Sequence, residues 1–358
     1  MNATLLASGI RALDPHALFE GIGAARMRRA GIESWRDHSG WASMGPLAAI
    51  PRIPRLLAIM YATAFRIKRT RPDAVILVDF GAFNIRLAKT LARLRFAGPV
   101  IDWFPPAAWL DDEKTARALA RVAMPMTAFE HQRDFYASLG LPAAYFGHPL
   151  TGQYVARAPR PAPDLDGGTV ALLPGSRKGE LRHHVPRLLG AYDLLRKRRP
   201  KIRAIVGAAN ESAERLLRDA LAARTMHDVP IARGTQAAIA DADAAWVASG
   251  TAVLETVLCG VPAVALYVIS GALVRHARRV YRGKYITLPN LVLDREMVPE
   301  LLQEAATPEH LAAAMDETLR DPARQYREIA HLRAALGPPE ALARCAAFVV
   351  AAARTGSA

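Results

Sequence analysis

The chain has 358 residues, 51% of them hydrophobic and 22% charged, with a formal net charge of +14. At roughly 100–200 residues per domain this is a two-domain length, and its apolar content supplies two cores, which excludes a disordered chain. Only seven of the 47 basic residues are Lys, and no zinc finger, aromatic RNA-binding signature or basic tail accompanies the Arg. The balance therefore points to an anionic membrane surface or a phosphorylated substrate and not to nucleic acid.

The start, MNATLLASGIRALDP, lacks the basic opening and long apolar stretch of a signal peptide. The segment PRIPRLLAIMYATAFRIKRTRP (51–72) has an apolar core, Leu56–Phe65, that is far shorter than the roughly 20 residues a spanning helix needs. Arg52, Arg55, Arg66, Lys68 and Arg69 bracket it, and Trp35, Trp41 and Met44 precede it. Two readings stand: a buried domain helix, or an in-plane contact with a membrane surface. Short β-branched runs follow at DAVILVDFG (73–81), GPVIDWFPP (98–106) and AAYFGHP (143–149), with helical patterns at Ile85–Arg95 and Lys114–Val122 between them. A linker rich in Pro and Gly covers Ala156–Gly168, after which TVALLPGS, KIRAIVGA, PIARG, DAAWVASG and PAVALYV resume the alternation. From about Thr307 the pattern is helical, and Pro338-Pro339 opens a last helix.

Such alternation predicts an α/β protein: two Rossmann-like domains with parallel sheets facing a cleft, ligands lying at the carboxyl ends of the strands. The expected boundaries are 1–155, 156–336 and a C-terminal helix, 337–358, crossing back to the first domain. Cys259 and Cys345 have no partner spacing and read as buried thiols in a reducing compartment. No His/Cys cluster has metal-ligand spacing, so neither metal nor cofactor is expected.

Two strand ends carry the chemistry. TVALLPGSRKGEL ends a strand at Ser176 and Arg177 and opens a helix near Gly179-Glu180. Helix-start amides beside a guanidinium suit a diphosphate, while an ordinary turn with a solvated Arg is the plain alternative. Neither GxGxxG nor GxxxxGK[ST] is present, so the usual dinucleotide fingerprint and the P-loop do not apply. In DAAWVASGTAVLETVLCGVP (243–262), Ser249, Gly250 and Thr251 open a second helix, with Glu255 one turn on. That carboxylate suits a ribose diol, or simply the helix dipole. Asp241 and Asp243 form a D-x-D pattern ahead of a strand and read as a cap and a strand start.

LLPGSRKGEL, ASGTAVLE, YITLPNLVLDREMVPELLQE and FGHPL together resemble the lipid-A-disaccharide synthase family, bacterial inverting glycosyltransferases of the GT-B class. GIGAARM (21–27), SMG (43–45), VDFGAFNIRLAK (78–89), PPAAW (105–109) and TAFEHQRDFY (127–136) match more weakly and in order. The resemblance implies transfer of 2,3-diacylglucosamine from its UDP derivative onto 2,3-diacylglucosamine 1-phosphate, yielding the β-1,6-linked disaccharide and UDP. It implies no metal, with helix ends and basic side chains offsetting the leaving charge. It assigns Ser176, Arg177, Glu180, Ser249, Gly250, Thr251 and Glu255 to the UDP-sugar, and catalytic roles to Asp79 and Asn84 on the acceptor side and to Asn290 in donor alignment. It also implies a cytoplasmic protein, peripheral on the inner face of the bacterial inner membrane, with a homodimer among its expected states.

The sequence departs from that pattern twice. Family members open with a strand and a G-E-x-S-G-D turn, whereas here Met1 falls where the first helix is already under way, so a central strand of the first sheet is expected to be missing. The family's D-x-P-D-F-N reads Asp79-Phe80-Gly81-Ala82-Phe83-Asn84, and Ala82 cannot take a proton from the acceptor hydroxyl. Asp79, Asp102 and His148 are the substitutes, each with a structural reading beside it. The alternative function is a paralogue that binds UDP-sugar or lipid without turnover.

Overall fold

A computed structural model describes residues 2–23, 25–37, 53–106, 112–271, 274 and 283–358. The chain divides into two compact units, Met1–Gln153 with Leu336–Ala358, and Tyr154–Ala335. In the first unit the elements run α1 (Asn2–Leu13), β1 (Glu20–Ile22), α2 (Ala25–Arg29), β2 (Glu33–Arg36), α3 (Ile53–Thr70), β3 (Val75–Val78), α4 (Gly81–Arg93), β4 (Val100–Trp103), α5 (Glu113–Ala120), β5 (Met124–Thr127), α6 (Glu130–Ser138) and β6 (Ala144–Tyr145). The second unit holds β7 (Thr169–Leu173), α7 (Lys178–Arg198), β8 (Arg203–Ala208), α8 (Glu211–Ala222), β9 (Ile231–Arg233), α9 (Thr235–Ile239), β10 (Ala244–Ala248), α10 (Thr251–Leu258), β11 (Ala263–Tyr267), α11 (Leu288–Leu293), β12 (Glu300–Leu302) and α12 (Pro308–Arg320). Two helices close the chain, α13 (Ala323–Leu336) and α14 (Ala341–Thr355). They are separated at Gly337–Glu340, so each has fewer than the ~20 residues of a spanning helix.

The second unit is built on one six-stranded sheet, β12-β11-β10-β7-β8-β9, in which every pairing is parallel. Its central strands, TVALL and AAWVA, are buried at every residue, because helices cover both faces and leave no polar side for alternation. Trp246 lies at the centre, and its indole N–H donates to Leu311 O at 3.0 Å, tying α12 to the sheet.

In the first unit β3-β4-β5-β6 form a parallel sheet, while β1 and β2 pair in parallel as a separate ribbon. One face carries Leu6 and Ile10 of α1 with Leu342, Cys345, Ala346 and Val349 of α14, packed on Ile101, Trp103 and Met126. Gly9 permits that crossing: a Cβ there would come within 3.1 Å of the Ala346 Cβ. The opposite face packs α3 and α4 on Val75 and Leu77. Between β1 and β3 lies a cavity of about 230 Å³, walled by Leu6, Ile10, Ile22, Trp35, Ile67 and Val75.

Candidate functional site

At the carboxyl ends of β7, β8 and β10 a cavity of about 350 Å³ is lined by Gly175, Ser176, Arg177, Ser249, Gly250 and Thr251, with Glu180 behind them. The two loops singled out in the sequence therefore meet on one site within the second unit. They are built differently. Gly175 adopts φ +103°, and a Cβ there would sit 2.7 Å from Glu180 Oε2, so only glycine lets the chain fold over that carboxylate. Glu180 is 8% exposed. Its Oε2 accepts from Ser176 N and Arg177 N at 3.2 Å each, and its Oε1 accepts from Arg177 Nη1 at 2.9 Å. The sequence-based role of Glu180 as a UDP-sugar contact changes accordingly: it is the internal anion of the α7 start, closing a capping box. Arg177 keeps a side chain 60% exposed at the cavity rim.

The α10 start is open by contrast. Gly250 takes φ 149° and the helix begins with no side-chain cap, with Ser249, Gly250 and Thr251 lining the cavity at that end, and an uncapped helix start is where a negative charge is stabilised. Glu255 lies a turn deeper, against the Tyr154 phenol, whose acidity it weakens further after burial, and it is absent from the cavity lining.

His184 was not legible as a functional residue. Its Nδ1 lies 2.8 Å from Pro174 O and its Nε2 accepts from Val268 N at 3.0 Å, so the buried ring joins the end of β7 to the end of β11. Burial lowers its basicity and keeps it neutral. The only sequence signal is its place one helical turn after Glu180. Asn290 is a correction of the sequence reading. It is fully buried, its Nδ2 donates to Val298 O and Glu300 Oε1 at 2.8 Å, and its Oδ1 accepts from Met297 N and Val298 N at 2.9 Å. With those four bonds it holds the loop that also seats Ile286 and Thr287 on Glu300, and no polar atom remains to align a sugar. Asp243 accepts from Thr169 N at 2.8 Å and starts the strand pairing, in line with its structural reading.

In the first unit, Asp79 follows β3 in a left-handed conformation, φ +64°, and Phe104 follows β4 at φ +65°. Such backbone costs of order 1–3 kcal/mol and concentrates at functional sites. Asp79 is exposed and accepts from Asn2 Nδ2 at 3.0 and 3.2 Å. It does not cap α4, whose N-cap is Phe80 without a side-chain hydrogen bond. Ala82 sits exposed in the first turn of that helix. Asn84 is buried with Nδ2 unpaired, and Asp102, 1% exposed, has neither carboxylate oxygen in a hydrogen bond. Burial, then the Asp79 charge, pushes Asp102 up to about 7; the neighbouring Asn84 amide pulls the other way without reaching hydrogen-bond geometry. His148 is no base: burial lowers it to about 3, its Nδ1 accepts from Leu150 N at 3.2 Å, and Phe104 and Phe129 enclose the ring. Residues 43–45, 107–109 and Trp41 lie outside the described residues.

The family model for lipid-A-disaccharide synthetase matches residues 3–340. Lipid-A-disaccharide synthase of Anaeromyxobacter dehalogenans is 34% identical over 351 residues, 95% of this chain and 91% of its own length. That of Syntrophus aciditrophicus is 32% identical over 348 residues, covering 94% and 90%. Among solved structures, a UDP-GlcNAc 2-epimerase from Neisseria meningitidis bound to UDP-GlcNAc superposes with a TM-score of 0.61 at 12% identity, over 98% of this chain and 96% of that one. The last likeness gives the fold, α/β of the GT-B type; the first three give the family. With parallel sheets, a cavity at the strand ends and nearly full-length similarity, the chain belongs to the lipid-A-disaccharide synthase family.

Proposed function

We propose that the chain transfers 2,3-diacylglucosamine from UDP-2,3-diacylglucosamine to the 6-hydroxyl of 2,3-diacylglucosamine 1-phosphate, releasing UDP and the disaccharide 1-phosphate. The observation that carries this reading is the cavity in which the uncapped start of α10 and the exposed Arg177 guanidinium share one wall. The diphosphate sits on the α10 amides and the Ser249 and Thr251 hydroxyls. Arg177 swings from Glu180 to the leaving phosphate as negative charge builds there. On the acceptor side Asp79, the exposed carboxylate, takes the hydroxyl proton. The test is turnover of the two purified lipid substrates with quantification of UDP; absence of UDP release from folded protein overturns it.

The transfer takes place at a membrane surface. On α3, Ile59, Met60, Thr63 and Ala64 face the core, while Ile53 (46% exposed), Leu57 (38%), Tyr61 (48%) and Phe65 (61%) form an outward apolar stripe at four-residue spacing. Arg55, Lys68 and Arg69 are exposed on the same helix. An apolar face with basic flanks suits an anionic leaflet on the cytoplasmic side. Trp35, half-buried in β2, has the Arg66 guanidinium 5.6 Å from its ring centroid.

A further inference from the structure

We propose that Asp79 and Asp102 work as one coupled pair in the transfer, Asp79 meeting the acceptor hydroxyl and Asp102 serving as a buried positioning residue whose charge acts on Asp79 from behind. This rests on the reading of the first unit as the acceptor side.

The placement comes from the strands. β3 and β4 are parallel neighbours with Leu77 opposite Asp102, so Asp79 lies two residues beyond that pair, where the chain turns into its left-handed conformation. Ile101 and Trp103 pack with α1 and α14, so alternation sends Asp102 to the other face of the sheet, toward Asn84 of α4 and Tyr136 of α6. Asp102, Asn84 and Tyr136 are all buried, and the carboxylate, the Asn84 Nδ2 and the Tyr136 hydroxyl all lack hydrogen-bond partners among the described residues. A carboxyl kept only for packing has its oxygens met by donors; this one does not, and such orphans call for a functional reason.

The groups acting on Asp102 are Asp79 and Asn84, with no Lys or Arg among them, and the Asp102 charge in turn weakens the acidity of the Tyr136 phenol after burial. The buried residues of α5 on this side, Ala116 and Leu119, are apolar. Asp79 is itself held above the ordinary carboxylate range by loss of solvation where the surrounding chain crowds its exposed carboxylate, with the Asn2 amide opposing. The Asp102 proton thus leaves near pH 7 and adds a negative charge behind Asp79. In the transfer, the acceptor oxygen bonds to the anomeric carbon as the carbon–oxygen bond to the diphosphate breaks, its electron pair leaving with UDP. The hydroxyl proton passes to an Asp79 oxygen and later to solvent. An ionised Asp102 behind it makes Asp79 the stronger base, so the rate rises as the second proton leaves the pair.

The experiment measures kcat and KM from pH 5 to 9 for the native chain, Asp102→Asn and Asp79→Asn. Alongside it, carbon-13 titration follows the carboxyl carbons of labelled aspartates in the whole protein. Expected are an acid limb near pH 7 in the native profile, its loss in Asp102→Asn with kcat down about tenfold and KM unchanged, and no turnover in Asp79→Asn. The spectra should show one aspartate titrating near 7, absent from Asp102→Asn, and the Asp79 carbon following that step in the native chain but not in the variant. If no aspartate titrates between pH 6 and 8 in the native protein, or the Asp79 carbon is blind to that step, the coupling is overturned, even where the variant folds poorly, because both results need only the native chain. Coupled titrations without turnover of the lipid substrates uphold the pair and overturn the transferase assignment.

Discussion

Arg177 and Glu180 form a salt bridge of 2.9 Å, with the Arg side chain 60% exposed and the Glu side chain 10% exposed. The asymmetry lets the guanidinium leave its partner while the carboxylate stays to order the loop. Arg177→Ala is expected to weaken UDP binding about ten- to a hundredfold, as loss of a charge-assisted contact worth roughly 1.5–3 kcal/mol requires. Calorimetry checks this, and adding a chelator should leave the native affinity unchanged. Glu180→Ala acts differently: it strips the cap of α7 and costs about 1–2 kcal/mol of stability, read as a lower denaturation midpoint. At Ala82, an exposed position in the first turn of α4, a carboxylate is favoured by the helix dipole and lies close in sequence to Asp79. Ala82→Asp is expected to raise turnover, since a second base is worth up to about 10²-fold even when imperfectly placed. Asp102 bears on stability as well. Its folded-state pKa is raised from the ordinary value to about 7, so the stability it contributes is present below about 4 and is lost as pH rises to 7. Denaturation midpoints at pH 5 and 8 should differ more in the native chain than in Asp102→Asn.

Among the elements, α3 offers the sharpest test. Its stripe is exposed, so Tyr61→Glu with Phe65→Glu should leave the thermal midpoint nearly unmoved while abolishing co-sedimentation with anionic liposomes at low salt. Equal binding to neutral vesicles, or none by the native chain, would contradict the membrane contact. The strands show what a sequence reveals. VILV, TVALL and AAWVA are legible because burial on both faces makes them continuous apolar runs. β5 is not, because Pro125 reads as a strand breaker, yet it pairs opposite Asp102 in the middle of the sheet. Nor are β1 and β2, three and four residues with Glu at the start of each, whose pairing with one another is set by the surrounding helices. The site divides the same way. Both loops of the nucleotide cavity were visible as strand ends with Gly and hydroxyls. The internal roles of Glu180 and Asn290 were not, because spacing cannot tell a carboxylate that greets a ligand from one that already has its donors.

At the scale of the whole molecule, the two units carry separate cores and unlike sheets: six strands without a break in one, four plus a ribbon of two in the other. In the first unit, β1 and β3 flank the cavity and neither hydrogen-bonds across it. Cooperativity within a sheet is transmitted through its ladder, so a ladder with a gap is two opening units sharing one set of helices. The ribbon of β1 and β2 should therefore exchange its amide protons through small local excursions, long before β3 to β6 yield theirs. Mass-resolved exchange would show residues 20–36 labelling fast while 169–173 and 244–248 stay protected until the second unit unfolds. The Arg66–Glu20 ion pair, 2.7 Å and about two-thirds buried, clasps α3 to the ribbon. Cutting it with Arg66→Ala should quicken exchange in 20–36 and leave the far side of the gap almost as slow as before.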